Sequence, residues 1–243
     1  PYVGCGVAAS ANTMDKALTK KVVEGTGVRQ ARYYLALRYD FERNAEAVVA
    51  AAAETLGAFP VFVKPCSQGS SVGVAKANNL LELAEGLTEA FKLDTKVLVE
   101  EFIDGHEVEC AVLGNLEPQA STVGEIAPTQ EFYTFDAKYK DESSRLYIPA
   151  HITEEQIATV RQDAVRVYTA LGCRGLSRVD FFVTHDSGEV VFNELNAIPG
   201  FTSISMYPKL FDYEGIGYAE LLDRLISLCL LYTSPSPRDL STS

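Results

Sequence analysis

The stretch RVDFFVTHDSGEVVFNELN, from Arg178 to Asn196, contains two strand-like runs around Asp186-Ser187-Gly188. A three-residue loop with glycine in the left-handed conformation is a common connection between the strands of a hairpin. If His185 pairs with Glu189, the hairpin predicts three further facing pairs: Phe182 with Phe192, Asp180 with Glu194, and Arg178 with Asn196.

The far end of this hairpin predicts a metal site. Side chains alternate along a strand, so the facing pairs share one face of the sheet. Two carboxylates directly opposite each other repel, and a bound dication would remove that repulsion. Carboxylate and carboxamide oxygens suit Mg²⁺. We therefore expect Asp180, Glu194 and Asn196 to bind magnesium beside Arg178. A solvated strand end with its charges facing water remains the alternative.

Helix and strand patterns alternate along the rest of the chain, which predicts an α+β fold. Asn12 or Thr13 is expected to cap a first helix that ends near Gly25–Gly27. A helix closed by Gly57, the strand FPVFVKP, the Gly/Ser hairpin SQGSSVGVAKA and a third helix follow. These elements predict a smaller module that carries Lys64, and a larger sheet is expected from about Glu100.

A strong helix signal precedes the hairpin. Thr153 and Gln156 form the pattern of a capping box. One apolar stripe then recurs at helical spacing, at Ile157, Val160, Ala164, Val167 and Leu171. This pattern predicts a helix that packs one face against the larger sheet and ends near Gly172.

Composition excludes several classes of partner. The 243 residues include 33 acidic and 21 basic side chains, which gives a net charge of −12. Nucleic acids and anionic membranes need clustered positive charge, so we expect neither as a partner, while an anionic small ligand stays open. No apolar run reaches the length of a membrane span. The five cysteines are scattered without a CxxC pair, which predicts reduced thiols in a cytosolic protein.

Two other segments have the character of ligand-binding loops. Lys64 ends an apolar strand beside the Gly/Ser-rich segment Ser67–Gly73, whose backbone N–H groups and hydroxyls are able to cover phosphates. The alternatives are a lysine that extends to solvent and a plain turn. Lys138-Tyr139 lies in a long segment that is either a functional lid or a surface loop.

Taken together, these segments resemble the D-alanine–D-alanine ligases of the ATP-grasp superfamily. The matching motifs follow that family's order: Met14-Asp15-Lys16, Val63-Lys64-Pro65, Gly69-Ser70-Ser71-Val72-Gly73, Val99-Glu100-Glu101, Ala137-Lys138-Tyr139, Arg178-Val179-Asp180, Glu194-Leu195-Asn196 and Pro199-Gly200-Phe201-Thr202. The resemblance implies two α+β subdomains that grip ATP, at residues 1–99 and 100–230. Residues 231–243 are interpreted as a non-native or disordered tail, and the family's N-terminal domain as missing.

The resemblance also implies a reaction, which belongs to cytoplasmic synthesis of peptidoglycan precursors. ATP phosphorylates the carboxylate of one D-alanine, because a carboxylate is a poor electrophile until it carries a good leaving group. The amine of a second D-alanine then displaces phosphate. Positioning and charge stabilisation supply most of the catalysis in phosphoryl transfer. The implied partners are ATP and D-alanine, and a homodimer of the intact protein is left open.

The family's motifs, carried over residue by residue, imply three sets of site residues. The ATP-binding set is Lys16, Lys64, Ser70, Ser71, Glu100, Glu101, Phe102, Ile103, Glu107 and Lys138. The catalytic set is Ser70, Lys138, Tyr139, Arg178 and Gly200, in which Arg178 and the Gly200 N–H stabilise the oxyanion and, with Ser205, contact substrate. The metal set is Asp180, Glu194 and Asn196, for two Mg²⁺ ions or Mn²⁺, with Glu194 between them.

The missing domain and two rival functions limit this assignment. In the family that domain supplies a glutamate for the first substrate's amine, so we expect this chain by itself to bind Mg-ATP weakly and to ligate poorly or not at all. Another ATP-grasp carboxylate–amine ligase would be distinguished at Tyr139 and Ser205. A non-catalytic nucleotide-binding domain would be favoured by the loss of Arg178 or a metal ligand, and all of these are present.

Overall fold

In the part of the chain that the structure describes, the fold is built on two antiparallel sheets, one of four strands and one of five, with helices packed on both. The computed structural model describes residues 2–127 and 145–232 of the chain. Within them, the α+β class predicted from the alternating patterns is confirmed.

The bounds of the elements in the described residues are as follows. The helices are α1 (Val7–Met14), α2 (Lys16–Glu24), α3 (Arg38–Arg43), α4 (Ala45–Leu56), α5 (Leu80–Leu93), α6 (Glu154–Ala170), α7 (Met206–Tyr213) and α8 (Tyr218–Tyr232). The strands are β1 (Tyr33–Leu37), β2 (Val61–Pro65), β3 (Ala75–Ala77), β4 (Lys96–Glu101), β5 (Gly105–Gly114), β6 (Gln119–Ala127), β7 (Arg145–Tyr147), β8 (Gly175–Thr184) and β9 (Val190–Asn196). The small sheet has the order β1-β4-β2-β3 and the large sheet β7-β6-β5-β8-β9.

The first helical segment differs from its prediction. Asn12 and Thr13 already lie inside α1, and the chain turns at Asp15 before α2 begins. Asp15 caps α2, because its carboxylate accepts hydrogen bonds from two backbone N–H groups of the first turn. The predicted end of the segment is confirmed, since Gly25 caps the C-terminus of α2.

The small sheet buries one face under α4 and α5. Val63, Leu87 and Val99 are fully buried there. Because side chains alternate along a strand, the opposite face carries Lys64 of β2 and Glu100 of β4. Helix α2 packs against this second face. The small sheet therefore presents one apolar face to its own helices and one charged face to the rest of the protein.

The large sheet is covered by α6 on one face and by α7 and α8 on the other. The capping box of Thr153 and Gln156 forms at the start of α6, as predicted. The whole predicted stripe of α6 is buried in the core beneath the sheet. Both sequence signals for this helix are therefore confirmed.

The second face of the large sheet is apolar at one end of its strands and charged at the other. Ala111 and Leu113 pack with Leu210 where α7 and α8 cover the sheet. Further along the same face lie Glu109 and Asp180, which are opposite each other on β5 and β8. This charged end of the large sheet and the charged face of the small sheet approach each other.

The 178–196 hairpin confirms the two pairs on which the metal prediction depends. Arg178 lies opposite Asn196, and Asp180 lies opposite Glu194. The turn is one residue longer than predicted. The N–H of Thr184 donates to the Glu189 carbonyl at 3.0 Å, so it is Thr184 rather than His185 that closes the loop.

A β-bulge in β9 restores the predicted pairing of Asp180 with Glu194 in spite of the longer turn. Asn193 is the extra residue between the pair of Asp180 with Glu194 and the pair of Phe181 with Phe192. The predicted pair of Phe182 with Phe192 is therefore wrong. Burial explains the difference, because Phe181 and Phe192 pack edge to face in the core under α6, with ring centroids 5.9 Å apart.

The expected boundary between the two subdomains, at residues 99 and 100, remains a prediction. That boundary lies inside β4, whose last residues Glu100 and Glu101 belong to the small sheet. At the other end, Cys5 and Ala9 pack in the core of the large sheet. The segment 1–99 therefore contributes to the hydrophobic cores of both sheets.

The C-terminal helix extends into the predicted tail. α8 continues through Leu231 and Tyr232, and residues 233–243 lie outside the described part of the chain. The five cysteines are buried as thiols. Within residues 2–127 and 145–232, no helix has both the length and the apolar character needed to span a membrane.

Candidate nucleotide and metal site

Asp180 lies at the centre of a charge cluster on the large sheet. It is only 3% exposed. Arg178 donates from Nε and Nη2 to the two carboxylate oxygens of Asp180, each at 2.7 Å. Asn196 donates from Nδ2 to Asp180 Oδ2 at 3.0 Å. These residues meet because positions two apart on β8 share a face and β9 supplies the facing side chains.

Glu109 of β5 is a member of this cluster that the sequence analysis did not identify. Its Oε1 lies 3.2 Å from Arg178 Nε, and its side chain is buried. Burial by itself would lower the pKa of Arg178, but the carboxylates of Asp180 and Glu109 raise that pKa well above its ordinary value. The available signal was the alternation HEVEC, which puts Glu107 and Glu109 on one face of a strand.

A second cluster lies on the small sheet around Glu100. Lys64 Nζ is 2.6 Å from Glu100 Oε2, and Lys20 Nζ of α2 is 2.9 Å from Oε1. Burial raises the pKa of Glu100, but the two ammonium groups outweigh it and hold that pKa at about 2. Burial likewise lowers the pKa of Lys64, and Glu100 reverses this to a net increase. Glu100 and Lys64 therefore carry their charges near neutral pH.

Two lysines connect the small-sheet cluster with the hairpin. Lys16 Nζ lies 3.8 Å from Glu194 Oε2. Lys64 Nζ donates to Asn193 Oδ1 at 3.4 Å. The bulge makes both contacts compatible, because it directs the neighbouring side chains of Asn193 and Glu194 toward the same side of β9. The predicted cationic and carboxylate residues thus come together between the two sheets.

The predicted phosphate loop connects β2 and β3 beside these lysines. Ser70 and Ser71 have φ angles of 52° and 60°, and Gly73 has a φ of +72°. Such left-handed positions turn successive backbone N–H groups to one side of a loop. Lys16 Nζ donates to the carbonyl of Gln68 at 2.7 Å, which holds the loop next to the lysine pair.

The residues predicted to line an adenine pocket divide into two groups. Phe102 is 39% exposed, and its ring centroid lies 6.0 Å from that of Phe62. Lys76 Nζ lies 4.8 Å from the centroid of Phe102. In contrast, the side chain of Glu101 points to the opposite face from Glu100. Its carboxylate pairs with the guanidinium groups of Arg29 and Arg32, at 3.0 and 2.7 Å, and the predicted contact of residues 100–103 with adenine remains a prediction.

Ile103 and Glu107 flank the start of β5 and are both half-buried. Glu107 lies on the same face of the large sheet as Glu109, and its charge acts on Lys64. Glu107 therefore lies on the side of β5 that faces Lys64, and its contact with the ribose remains a prediction.

Gly200 and Ser205 lie together after β9. A Cβ atom at Gly200 would approach Ser205 Oγ to 2.9 Å. Ser205 Oγ accepts a hydrogen bond from the Thr202 N–H at 3.0 Å. Their predicted contacts with substrate remain predictions. Lys138 and Tyr139 lie outside the described residues.

The oxygen donors of the hairpin fit a hard dication. In the described part of the chain, no three His, Cys, Asp or Glu side chains form a metal-binding group, so the candidate set needs the carboxamide of Asn196. Its Nδ2 points at Asp180 Oδ2 and Glu194 Oε1, at 3.0 and 3.5 Å. Rotation about the last side-chain bond would turn Oδ1 toward the same carboxylates. Two carboxylates and one carboxamide suit Mg²⁺, which keeps water or phosphate oxygens as its other ligands.

Known sequences match this chain over most of its length. A family model described as the D-ala D-ala ligase C-terminus matches residues 22–227. The D-alanine–D-alanine ligase of Acetivibrio thermocellus is 52% identical over 230 residues, which cover 95% of this chain and 61% of that protein. The D-alanine–D-alanine ligase of Chlorobium phaeovibrioides is 51% identical over 236 residues, which cover 97% of this chain and 65% of that protein. The chain thus spans less than two thirds of the length of these relatives.

Solved structures confirm the ATP-grasp fold. The D-Ala:D-Ser ligase VanG of Enterococcus faecalis superimposes with a TM-score of 0.83 and 43% identity, over 94% of this chain and 65% of that one. The D-alanine–D-alanine ligase of Coxiella burnetii gives a TM-score of 0.79 and 36% identity, over 94% and 60% of the two chains. Sequence and structure together show that this chain belongs to the family of the C-terminal part of D-alanine–D-alanine ligases.

Proposed function

We propose that the protein containing this chain is an ATP-dependent ligase that joins two D-alanines into D-alanyl-D-alanine in the cytoplasm. One observation carries the proposal. Glu194 of the large sheet, which faces Asp180, lies 3.8 Å from Lys16 of α2, and the neighbouring Asn193 accepts a hydrogen bond from Lys64 of the small sheet. This arrangement offers cations for phosphates and carboxylates for a dication at one place between two sheets.

ATP is proposed to lie between the sheets with its phosphates toward Lys16 and Lys64. The loop with Ser70 and Ser71 would cover the phosphates with backbone N–H groups. Phe102 and the backbone of 100–103 would line the adenine, and Glu107 the ribose hydroxyls. In support, Lys64 has a raised pKa and stays charged, and Lys16 already holds the covering loop through Gln68.

Asp180, Glu194 and Asn196 would hold magnesium. The ion, when bound, would neutralise charge on the phosphate oxygens during transfer. Arg178 compensates the charge of Asp180 by two hydrogen bonds. The same guanidinium is also close to Glu109, so it keeps an anionic partner if Asp180 turns toward a metal.

The chemistry proceeds in two displacements. A carboxylate oxygen of the first D-alanine attacks the γ-phosphorus of ATP, and the bond to the bridging oxygen breaks, which releases ADP. The amine of the second D-alanine then attacks the acyl carbon. Phosphate leaves with the electron pair of the C–O bond, and the amine loses a proton. Arg178 and the Gly200 N–H are proposed to stabilise the oxyanion formed in this second step.

The proposed substrate rests on the curated relatives. The relatives of Acetivibrio thermocellus and Chlorobium phaeovibrioides, at 52% and 51% identity, are named D-alanine–D-alanine ligases, whereas VanG, at 43%, is a D-Ala:D-Ser ligase. D-alanine is therefore the preferred second substrate, and D-serine is the competitor to test. Ser205 would bind the second carboxylate. The proposed contributions of Lys138 and Tyr139 to phosphate transfer and specificity rest on the family motif.

Phosphate release from Mg-ATP tests the proposal. The chain would be assayed alone and as a chimera in which it replaces the matching region of the Acetivibrio thermocellus relative. Each protein would receive no amino acid, D-alanine, L-alanine, or D-alanine with D-serine, and the products would be identified by mass spectrometry. The expected result is release that depends on D-alanine, with D-alanyl-D-alanine as product in the chimera.

Other outcomes distinguish the alternatives. ATP binding without a D-alanine response in the chimera would favour another carboxylate–amine ligase. D-alanyl-D-serine as the main product would reassign the second substrate. Failure of both proteins to bind Mg-ATP would reject the nucleotide site itself.

A further inference from the structure

We propose that Lys20 is a positioning residue of the nucleotide site, which holds Glu100 by one carboxylate oxygen and thereby leaves Lys64 available to the phosphates of ATP. This inference rests on the proposed function. It concerns a lysine outside the motifs of the sequence analysis, and it follows from the arrangement of three buried charges around a single carboxylate.

Lys20 is buried to a degree that is unusual for lysine. It is 2% exposed, on the face of α2 that packs against the small sheet. Its Nζ is 2.9 Å from Glu100 Oε1 and 3.4 Å from the carbonyl oxygen of Ala31, and it lies 5.2 Å from the ring centroid of Tyr33. Lysines are almost never fully buried unless they are paired. Lys20 is therefore fixed in one position by a set of short contacts.

The two lysines pair with different oxygens of the Glu100 carboxylate. Lys20 forms its ion pair with Oε1, and Lys64 forms its ion pair with Oε2. With two ammonium groups and one carboxylate, the three side chains carry a surplus of one positive charge. Lys64 is the more exposed of the two lysines and also contacts Asn193 across the gap between the sheets. The surplus charge is thus presented where the phosphates are proposed to bind.

Loss of Lys20 would change this balance without touching the ligand. Glu100 and Lys64 alone form a neutral pair, and both carboxylate oxygens become available to Lys64. Its ammonium would then be attracted toward the small sheet and away from the phosphates. Lys20 is therefore expected to support the phosphates through Lys64 and to have little influence on the adenosine part of the ligand.

The test compares variants of the 243-residue chain by calorimetric titration with Mg-ATP and, separately, with adenosine. K20M should weaken ATP binding by about 10-fold, because Lys64 then pairs with both oxygens of the Glu100 carboxylate and its ammonium is drawn away from the phosphates. It should also flatten the dependence of ATP affinity on salt, and leave adenosine affinity unchanged. K20R, which keeps the charge, should retain most of the affinity. K21M is the matched control, since Lys21 is the next residue of α2 and its side chain is 62% exposed beside Glu24.

A double variant separates positioning from folding. In the E100Q background there is no carboxylate to share, so K20M/E100Q should bind ATP with the same affinity as E100Q. This comparison tests whether Lys20 acts through Glu100 even if K20M alone fails to fold. A further loss of affinity in the double variant would overturn the proposal.

The remaining outcomes are also decisive. If K20M binds ATP like the unmodified chain and differs only in a lower melting temperature, Lys20 has a structural role and the proposal is wrong. Equal losses for ATP and adenosine would show a general distortion and overturn the proposal. If neither the unmodified chain nor the chimera described above binds Mg-ATP, the proposed nucleotide site fails and the assignment of Lys20 fails with it, whereas intact ATP binding with an unchanged K20M rejects Lys20 alone.

Discussion

Asp180 and Glu194 lie directly opposite each other on β8 and β9, although each carries a carboxylate. Facing like charges destabilise a sheet. Three cations reduce this repulsion. Arg178 pairs with Asp180, and Lys16 lies near Glu194. Lys64 also interacts electrostatically with Glu194. A protein selected only for stability gains nothing from such a pair, so the arrangement favours a bound cation as its reason.

The first prediction concerns Asp180. D180N should fold, because the carboxamide has nearly the shape of the carboxylate and keeps one acceptor for Arg178. Its affinity for Mg-ATP should fall by at least about 10-fold, since even indirect partners of a metal contribute that much. Melting temperatures with ATP plus magnesium and with ATP plus EDTA would measure the effect, because a ligand at a hundred times its Kd stabilises by about 2.7 kcal/mol.

Asp163 supplies the control for this variant. It is a buried aspartate of α6 that pairs with Arg166 at 3.2 Å, on the other side of the large sheet. D163N should change stability but not the difference between magnesium and EDTA. A magnesium-dependent stabilisation that survives in D180N would contradict the metal assignment.

The second prediction concerns the pH dependence of stability due to Glu100. The pKa of Glu100 is about 2 in the folded protein, compared with its ordinary value of 4.5 in the unfolded chain. A carboxylate with a lowered pKa stabilises the fold above the unfolded pKa and loses this effect as pH falls toward the folded value. The advantage of the unmodified chain over E100Q should therefore be constant above about pH 5 and shrink between pH 4.5 and pH 2.

Urea unfolding at pH 7, 5 and 3 measures this difference. At pH 7, E100Q should be less stable by about 3–5 kcal/mol, because two buried lysines lose their partner. E42Q is the control, since Glu42 is exposed on α3. A difference between the unmodified chain and E100Q that stays the same down to pH 3 would show that the ion pairs do not act as described.

The third prediction concerns the loop that is proposed to cover phosphates. Gly73 has a φ of +72°, and a Cβ atom there would collide with Leu93 and Pro65. G73A should therefore cost about 1–3 kcal/mol of stability and shift the loop. Gly69 in the same loop has open space around its Cα, so G69A should change little. Chemical denaturation and ATP titration of both variants would test this, and equal behaviour of the two would argue against the conformation of the loop.

The fourth prediction concerns the core of the small sheet. Leu87 of α5 is fully buried, whereas Leu81 of the same helix is 69% exposed. L87A should destabilise the chain by about 2–5 kcal/mol through lost burial and the cavity left behind. L81A should stay within about 0.5 kcal/mol. Equilibrium unfolding in urea measures both, and similar losses would mean that α5 packs with a different face.

Much of the architecture was determined by local sequence. The capping box of Thr153 and Gln156, the Gly57 helix end and the apolar stripe of α6 were predicted correctly, because each depends on residues within a few turns of one another. The facing of Asp180 with Glu194 was also predicted, since the period of a strand relates residues across a short hairpin. The first helix was not predicted correctly, because Asp15 and Thr13 compete as caps and the packing of α1 on the distant large sheet helps to decide between them.

Tertiary structure alone decided how the charges are compensated. Sequence periodicity placed Asp180, Glu194 and Lys64 as candidates, but it did not reveal that Glu109 approaches Arg178 or that Lys20 and Lys64 share Glu100. These contacts join residues that are about seventy or eighty positions apart along the chain, or that lie on different elements. The bulge at Asn193 likewise depends on burial of Phe181 with Phe192 rather than on the turn sequence. Local hydrogen bonding and periodicity act over a few residues and are visible in sequence, whereas the pairing of buried charges depends on which elements pack together.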